Sequence, residues 1–228
     1  MIDCPGSPGL FLLRRSAFHI AIYLLRMRPQ RFPSTEKGRS FELLALGVRD
    51  FAGLRTPMDR LEPMMLAKYA GLEVVDFEQL RTTLPVDVLN VLIGEAKDDW
   101  SGGALARPLP DGKKLIILNP THGVARRAAT LMEEISHVFL GHRANRLARR
   151  SEDGSVVARD FDDSIEEEAY GVGAAALVPY QALVEFINNG VTAGKIAKHF
   201  GVSRALVEFR IRVCRLTESY SLFNTHWR

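Results

Sequence analysis

The sequence predicts an α+β fold, a small sheet packed on one long helix and followed by a helical C-terminal part. Three observations lead there. The strand-like runs, "GLEVV" and "KLIILNP", lie before Gly123. From Gly123 to Leu140 the apolar period becomes helical. Beyond Ser164 one helical pattern follows another. A chain of 228 residues can bury a real core, and 46% hydrophobic with 25% charged residues is ordinary for a globular protein.

The elements follow in order. Structure is expected to begin near Ser40, where "SFELLALGVRDFAGL" sets Phe41, Leu44, Val48 and Phe51 at helical spacing. Pro63 opens a helix that Gly71 closes, and a strand runs through Val74 and Val75. "PVDVLNVLIG" reads as a helix. Two strand-like runs flank "PDGK", a hairpin setting. The next helix carries Ala125, Ala128, Leu131, Ile135 and Val138 on its apolar face. Arg143 to Asp163 reads as a long loop or small hairpin. "SIEEEAYGVGAAALVP" is a helix stopped by Pro179, and "YQALVEFINNG" is another. "VTAGKIAKHFGVSRALVEFRIRVCRL" reads as two helices joined at Gly201. The expected organisation is an accessory or poorly ordered segment at 1–39, a main domain at 40–189 and a helical part at 190–228.

Two distant cysteines, Cys4 and Cys214, make no disulfide framework and suit a reducing, cytoplasmic setting. The net charge of +3 is concentrated at the start, where residues 1–60 hold ten Lys or Arg against five Asp or Glu. The basic balance therefore says little about nucleic acid. "GLFLLRRSAFHIAIYLLRMRP" is apolar, but Arg14 and Arg15 interrupt it. Its uninterrupted run falls short of the roughly 20 residues a span needs, so no stable membrane insertion is expected. A membrane-surface helix is the alternative.

The stretch that suggests chemistry is "TLMEEISHVFLGH". Residues four apart share a helix face, so Glu133 and His137 point together. Glu134 lies about 100° round, close enough to take a proton from a water held between them. That is the logic of HExxH, two ligands one turn apart beside a carboxylate base; here the string reads EEISH. Alone the string is weak evidence and reads first as the solvated face of an amphipathic helix. A second acidic helix follows, in which Glu166 could supply a third ligand. Its small residues Gly171, Gly173, Ala174, Ala175 and Ala176 permit close approach to another helix. The competing reading of "EEEA" is an acidic first turn that complements the helix dipole.

"NPTHGVARRAATLMEEISHVFLGH", then "EEEAYGVGAAALVP", then "IAKHFGVS" resembles the ImmA/IrrE family of metallopeptidases over roughly residues 40–215. The resemblance implies a zincin-like (gluzincin-like) core and an intracellular zinc endopeptidase that cleaves helix-turn-helix repressors. By position, Glu134 matches the general base, His137 a histidine ligand and Glu166 the carboxylate ligand. Glu133 stands where the family has its first histidine. As a ligand it would bring a second negative charge, acidify water less, and accommodate manganese or iron beside zinc. His142 would point about 140° from His137 in an unbroken helix. Gly141, a natural C′ residue, can turn it back toward the metal or an oxyanion; otherwise it is a polar residue at a helix C-terminus.

At the C-terminal end, Ala197, Gly201, Val202, Ser203, Val207 and Ile211 have helix-turn-helix spacing. Arg204, Arg210, Arg212 and Arg215 would face phosphates if this part met DNA; packing or substrate docking is the other reading. Two functions follow. One is a metallo-endopeptidase acting on a regulatory protein. The other is an inactive zincin-fold regulator that binds DNA or a protein partner through its C-terminal helices.

Overall fold

The computed structural model describes residues 32–75, 77–82, 84–104, 108–142 and 163–224. The apolar stretch near the N-terminus lies outside them, and so does the loop expected from Arg143 to Asp163, apart from Asp163 itself, which opens a helix. The first helix, α1 (Glu36–Phe51), starts four residues ahead of Ser40. Thr35 caps it, its side chain accepting a hydrogen bond from the Gly38 amide. There follow α2 (Pro63–Tyr69), β1 (Leu72–Val75), α3 (Phe77–Arg81) and α4 (Val86–Asn90), which runs on into a π-helical turn at Val91–Glu95. Then come β2 (Gly102–Ala104), β3 (Lys114–Leu118) and α5 (Val124–Leu140). The rest is helical: α6 (Asp163–Leu177), α7 (Tyr180–Asn188), α8 (Ala193–Phe200), α9 (Arg204–Val213) and α10 (Thr217–Phe223).

The protein is therefore α+β, with a three-stranded sheet in the order β1-β3-β2. β1 runs parallel to β3, pairing Val74 with Ile116, and β2 runs antiparallel, pairing Gly103 with Ile117. Gly112, at φ 83°, makes the turn before β3, as the "PDGK" pattern predicts. Ile116, at the sheet centre, is buried, and so are Leu131, Met132 and Ile135 on α5.

α6 lies at the middle of the molecule. Every residue from Gly171 to Leu177 is buried, between α5 and α1. A Cβ on Gly173 would stand 3.2 Å from the Met132 carbonyl oxygen and 3.2 Å from Ser136 Oγ. One on Gly171 would run into the Phe41 ring of α1. The small residues thus permit the close approach that their size suggests. Among the described residues no single helix is long and apolar enough to cross a membrane.

The elbow after α6 is held by ionised side chains. Glu42 and Arg210 form a fully buried ion pair between α1 and α9. Arg210 Nε donates to the Val178 carbonyl at 3.1 Å, and the Tyr180 amide donates to Glu42 Oε2 at 3.1 Å. Arg49 Nη1 donates to the Ala176 carbonyl at 2.8 Å, and Nη2 reaches the Asp59 carbonyl at 2.6 Å. These groups satisfy polar backbone that the α6–α7 break would otherwise leave buried and unpaired.

Two expectations are corrected here. The buried stripe of α1 is Glu42, Ala45, Val48 and Arg49, while Phe51 is 42% exposed. Apolar periodicity cannot anticipate charged residues that carry their partners inside. Arg210 is 2% exposed and is spent on Glu42, so it cannot face phosphates.

Removing one member of the pair should cost about 3–5 kcal/mol, because the other charge stays buried alone. Glu42→Leu and Arg210→Met singly are each expected to destabilise more than the double replacement does. Urea denaturation of the three variants measures this; additive losses would argue against the pair.

Candidate metal centre

α5 is anchored at its start by Asn119, which is fully buried. Its Nδ2 donates to the Lys97 carbonyl at 2.7 Å and the Trp100 carbonyl at 2.8 Å, and its Oδ1 accepts from the Thr121 amide at 2.9 Å. This ties the end of β3 and the segment after α4 to the turn that leads into the site helix. At the other end Gly141 adopts a left-handed conformation, φ 71°. The His142 amide donates to the His137 carbonyl at 2.9 Å, and the Gly141 amide to the Val138 carbonyl at 3.2 Å, a Schellman closure.

That closure turns His142 back onto the helix it has just left. The two histidine rings meet edge to face, with His137 Nδ1 and His142 Nδ1 3.0 Å apart. His142 Nε2 lies 3.1 Å from Glu168 Oε2. On the other side of the first ring, His137 Nε2 lies 3.3 Å from Glu166 Oε2. α5 and α6 thus bring His137 and Glu166 together, as expected. His142 touches His137 rather than Glu166.

Glu133 and Glu134 are both half-buried. Burial, then the charges of Glu134 and Glu166, push the Glu133 carboxyl up to about 7. Burial also holds His137 below its ordinary value, with Glu166 opposing and His142 adding to the shift. Tyr170 is pushed up, first by burial and then by the Glu133 charge. Glu133, Glu134, Glu166 and Tyr170 therefore share one electrostatic neighbourhood, and the charge of Lys114 also acts there, on His137.

The donor chemistry suits a borderline cation. Two ligands bonded at about 2.0–2.1 Å on a tetrahedral ion stand about 3.3 Å apart, which is the His137–Glu166 spacing. The third expected ligand, Glu133, senses the charge of Glu166, yet among the described residues no three His, Cys, Asp or Glu side chains converge well enough to hold an ion. Sequence reasoning missed Glu168 and Tyr170. Glu168 was visible in "EEEA", but residues two apart on a helix leave in different directions, so nothing suggested that it reaches a histidine. A separate cavity of about 610 Å³ lines another face of α5 with Leu61, Val74, Arg127, Leu131 and Phe200, and none of the acids or histidines above borders it.

The model of the M78 peptidases, described as the IrrE N-terminal-like domain, matches residues 86–212. No curated protein and no solved structure matches the chain. The matched stretch takes in both α5 and α6, with every acid and histidine of the candidate centre. Since it also spans more than half of the sequence, the chain belongs to the M78 peptidase family, a metallopeptidase-type family.

Proposed function

We propose that the chain is an intracellular metal-dependent endopeptidase with a zincin-like core, acting on a protein substrate of the repressor type. The observation that carries this reading is the 3.3 Å approach of His137 Nε2 to Glu166 Oε2 inside an acid cluster. The residues that would hold the ion are His137 and Glu166, with Glu133 moving in as the third. Zinc is the expected ion, and the two carboxylates also suit manganese or iron. Such an ion supplies Lewis-acid polarisation of a carbonyl and acidifies water.

The remaining work falls to the chain. His137 and Glu166 present lone pairs at a separation set by the α5–α6 packing. Glu133 would add the second carboxylate, which would offset the ion's charge and move hydrolysis toward higher pH. Glu134 takes a proton from water and returns it to the leaving amine.

A second reading keeps the fold without catalysis. It is favoured by Glu133 in the first-histidine position. The C-terminal helices would then bind a partner. α8 and α9 join through a left-handed Gly201, and the Ser203 side chain accepts from the Leu206 amide. Arg210 is buried, and Arg204, though 72% exposed, is paired with Glu208 at 2.6 Å, so the basic face offered to phosphates is reduced. A protein partner therefore suits these helices better than DNA. Under the DNA version, binding to duplex DNA would weaken steeply with salt; no binding at low salt excludes it.

Metal content by elemental mass spectrometry tests the first reading. About one zinc, manganese or iron per chain is expected, lost in His137→Ala and in Glu166→Ala. Glu134→Gln should keep the metal while hydrolysis of denatured casein falls at least about 100-fold. A protein that stays metal-free after incubation with zinc would sink the reading.

The metal-free protein should also report Glu133. An acid whose folded pKa is raised from 4.5 to about 7 stays protonated in the folded state where the unfolded state has lost its proton. Its contribution is intact below about pH 4.5, declines across the interval and is lost above about pH 7. Glu133→Gln should therefore stabilise the metal-free protein at pH 8, by on the order of 2–3 kcal/mol, and much less at pH 5. Thermal unfolding at the two pH values decides; an equal effect at both would remove the assignment.

A further inference from the structure

Three contacts run in series through the two histidines: Glu166 to His137 Nε2 at 3.3 Å, His137 Nδ1 to His142 Nδ1 at 3.0 Å, and His142 Nε2 to Glu168 at 3.1 Å. Each joins two atoms that need a positive centre between them. A carboxylate only accepts, and an imidazole nitrogen without hydrogen only accepts. Two neutral imidazoles carry two N–H groups for three such contacts. One contact must lack a hydrogen.

Position decides which. The charges that act on Glu133 are those of Glu134 and Glu166 and not that of Glu168, so Glu168 stands apart from the acid cluster and a hydrogen on His142 Nε2 satisfies that end. His142 Nδ1 is then an acceptor, and His137 must place its own hydrogen on Nδ1 to meet it. The bare lone pair falls at His137 Nε2, facing Glu166 in the cluster that also holds Glu133 and Glu134. That is the contact best placed to receive a cation.

We infer that Glu168 and His142 are positioning residues, which hold His137 as its Nδ1–H tautomer and so aim the Nε2 lone pair at Glu166. They act through His137 and touch no reacting atom. Gly141 is part of the device, since its left-handed turn is what returns His142 to the ring five residues earlier. An outer carboxylate of this kind orients a ligating imidazole and raises its basicity. The inference rests on the metal reading only for its affinity arm.

The test uses the full chain with zinc alone as the probe. Long-range ¹H–¹⁵N correlation on the metal-free protein at pH 8 reads the His137 tautomer directly. Nδ1–H is expected in the wild type and in Glu168→Gln, whose amide oxygen still accepts from His142. Glu168→Ala should release His137 toward the Nε2–H form. The Glu168 side chain is 39% exposed, so its replacement spares the core. In competition with a chromophoric chelator, zinc affinity should fall about 10–100-fold in His142→Ala and Glu168→Ala, and Glu168→Gln should recover most of it. An Nε2–H His137 in the wild type, or an unchanged tautomer in Glu168→Ala, overturns the inference. If the wild type binds no zinc, the metalloenzyme reading fails and the tautomer spectrum alone decides this one.

Discussion

The candidate centre depends on how closely α6 lies against α5. The approach is set at Gly173, where an added methyl group would press on the Met132 carbonyl and on Ser136 Oγ, both at 3.2 Å. Ser136 answers in kind by bonding its hydroxyl to that same carbonyl, at 2.8 Å, instead of projecting outward. Backbones this close leave no room for side chains at the crossing. The long side chains of the pair meet beyond it, toward the C-terminal end of α5 and the N-terminal end of α6. His137, His142, Glu166 and Glu168 all belong to those ends. Packing density and site geometry are one constraint seen at two places along the same helices.

The other end of α6 has to stay in place for that crossing to hold. There the chain breaks at Val178 and Pro179, in the most buried part of the molecule, and leaves carbonyls without helical partners. The protein meets them with guanidinium groups, from Arg49 of α1 and Arg210 of α9, and neutralises Arg210 with Glu42. An arginine can do this because its planar fork offers several donors in different directions at once. The C-terminal helices are thereby bonded to the helix that carries Glu166. A helix pair that resembles a nucleic-acid-binding element has one of its arginines turned inward as structural cement.

Much of this was legible in the sequence, and the misses share one cause. The helix and strand order, the Pro63 and Gly71 boundaries, the hairpin at "PDGK" and the turn at Gly201 follow from local rules about φ angles and apolar period. The pairing of His137 with Glu166 was legible because EExxH and the following "EEEA" each carry a spacing. What escaped were contacts between polar groups far apart in the chain. Glu42 and Arg210 are 168 residues apart, and no local pattern marks either as buried. Glu168 looked like one more charge in an acidic first turn. Phe51 fitted the period of α1 but lies past the point where the helix leaves the core, so it packs edge-on against Phe139 and Tyr69 near the surface instead.

Glu133 is the residue on which the meaning of the site turns, and its surroundings argue about charge more than about identity. A histidine there would be neutral or would bring a positive charge; the glutamate is neutral only while it keeps its proton, and it sits in a half-buried position beside two further carboxylates. In water three acids so placed would ionise with little mutual cost. Here burial amplifies their repulsion, and one of them holds its proton up to about 7. The histidine chain beside them is short of one hydrogen as well. The acids and the imidazoles both open onto the gap between His137 Nε2 and Glu166 Oε2, with Lys114 close enough for its charge to act on His137. Protons can fill it at low pH, at the expense of neutralising the acids one by one. Under the metal reading a divalent ion in that gap would answer acids and imidazoles together and would let the carboxylates stay ionised. Under that reading, glutamate in the place of the first histidine would make the hold on the ion more electrostatic in character.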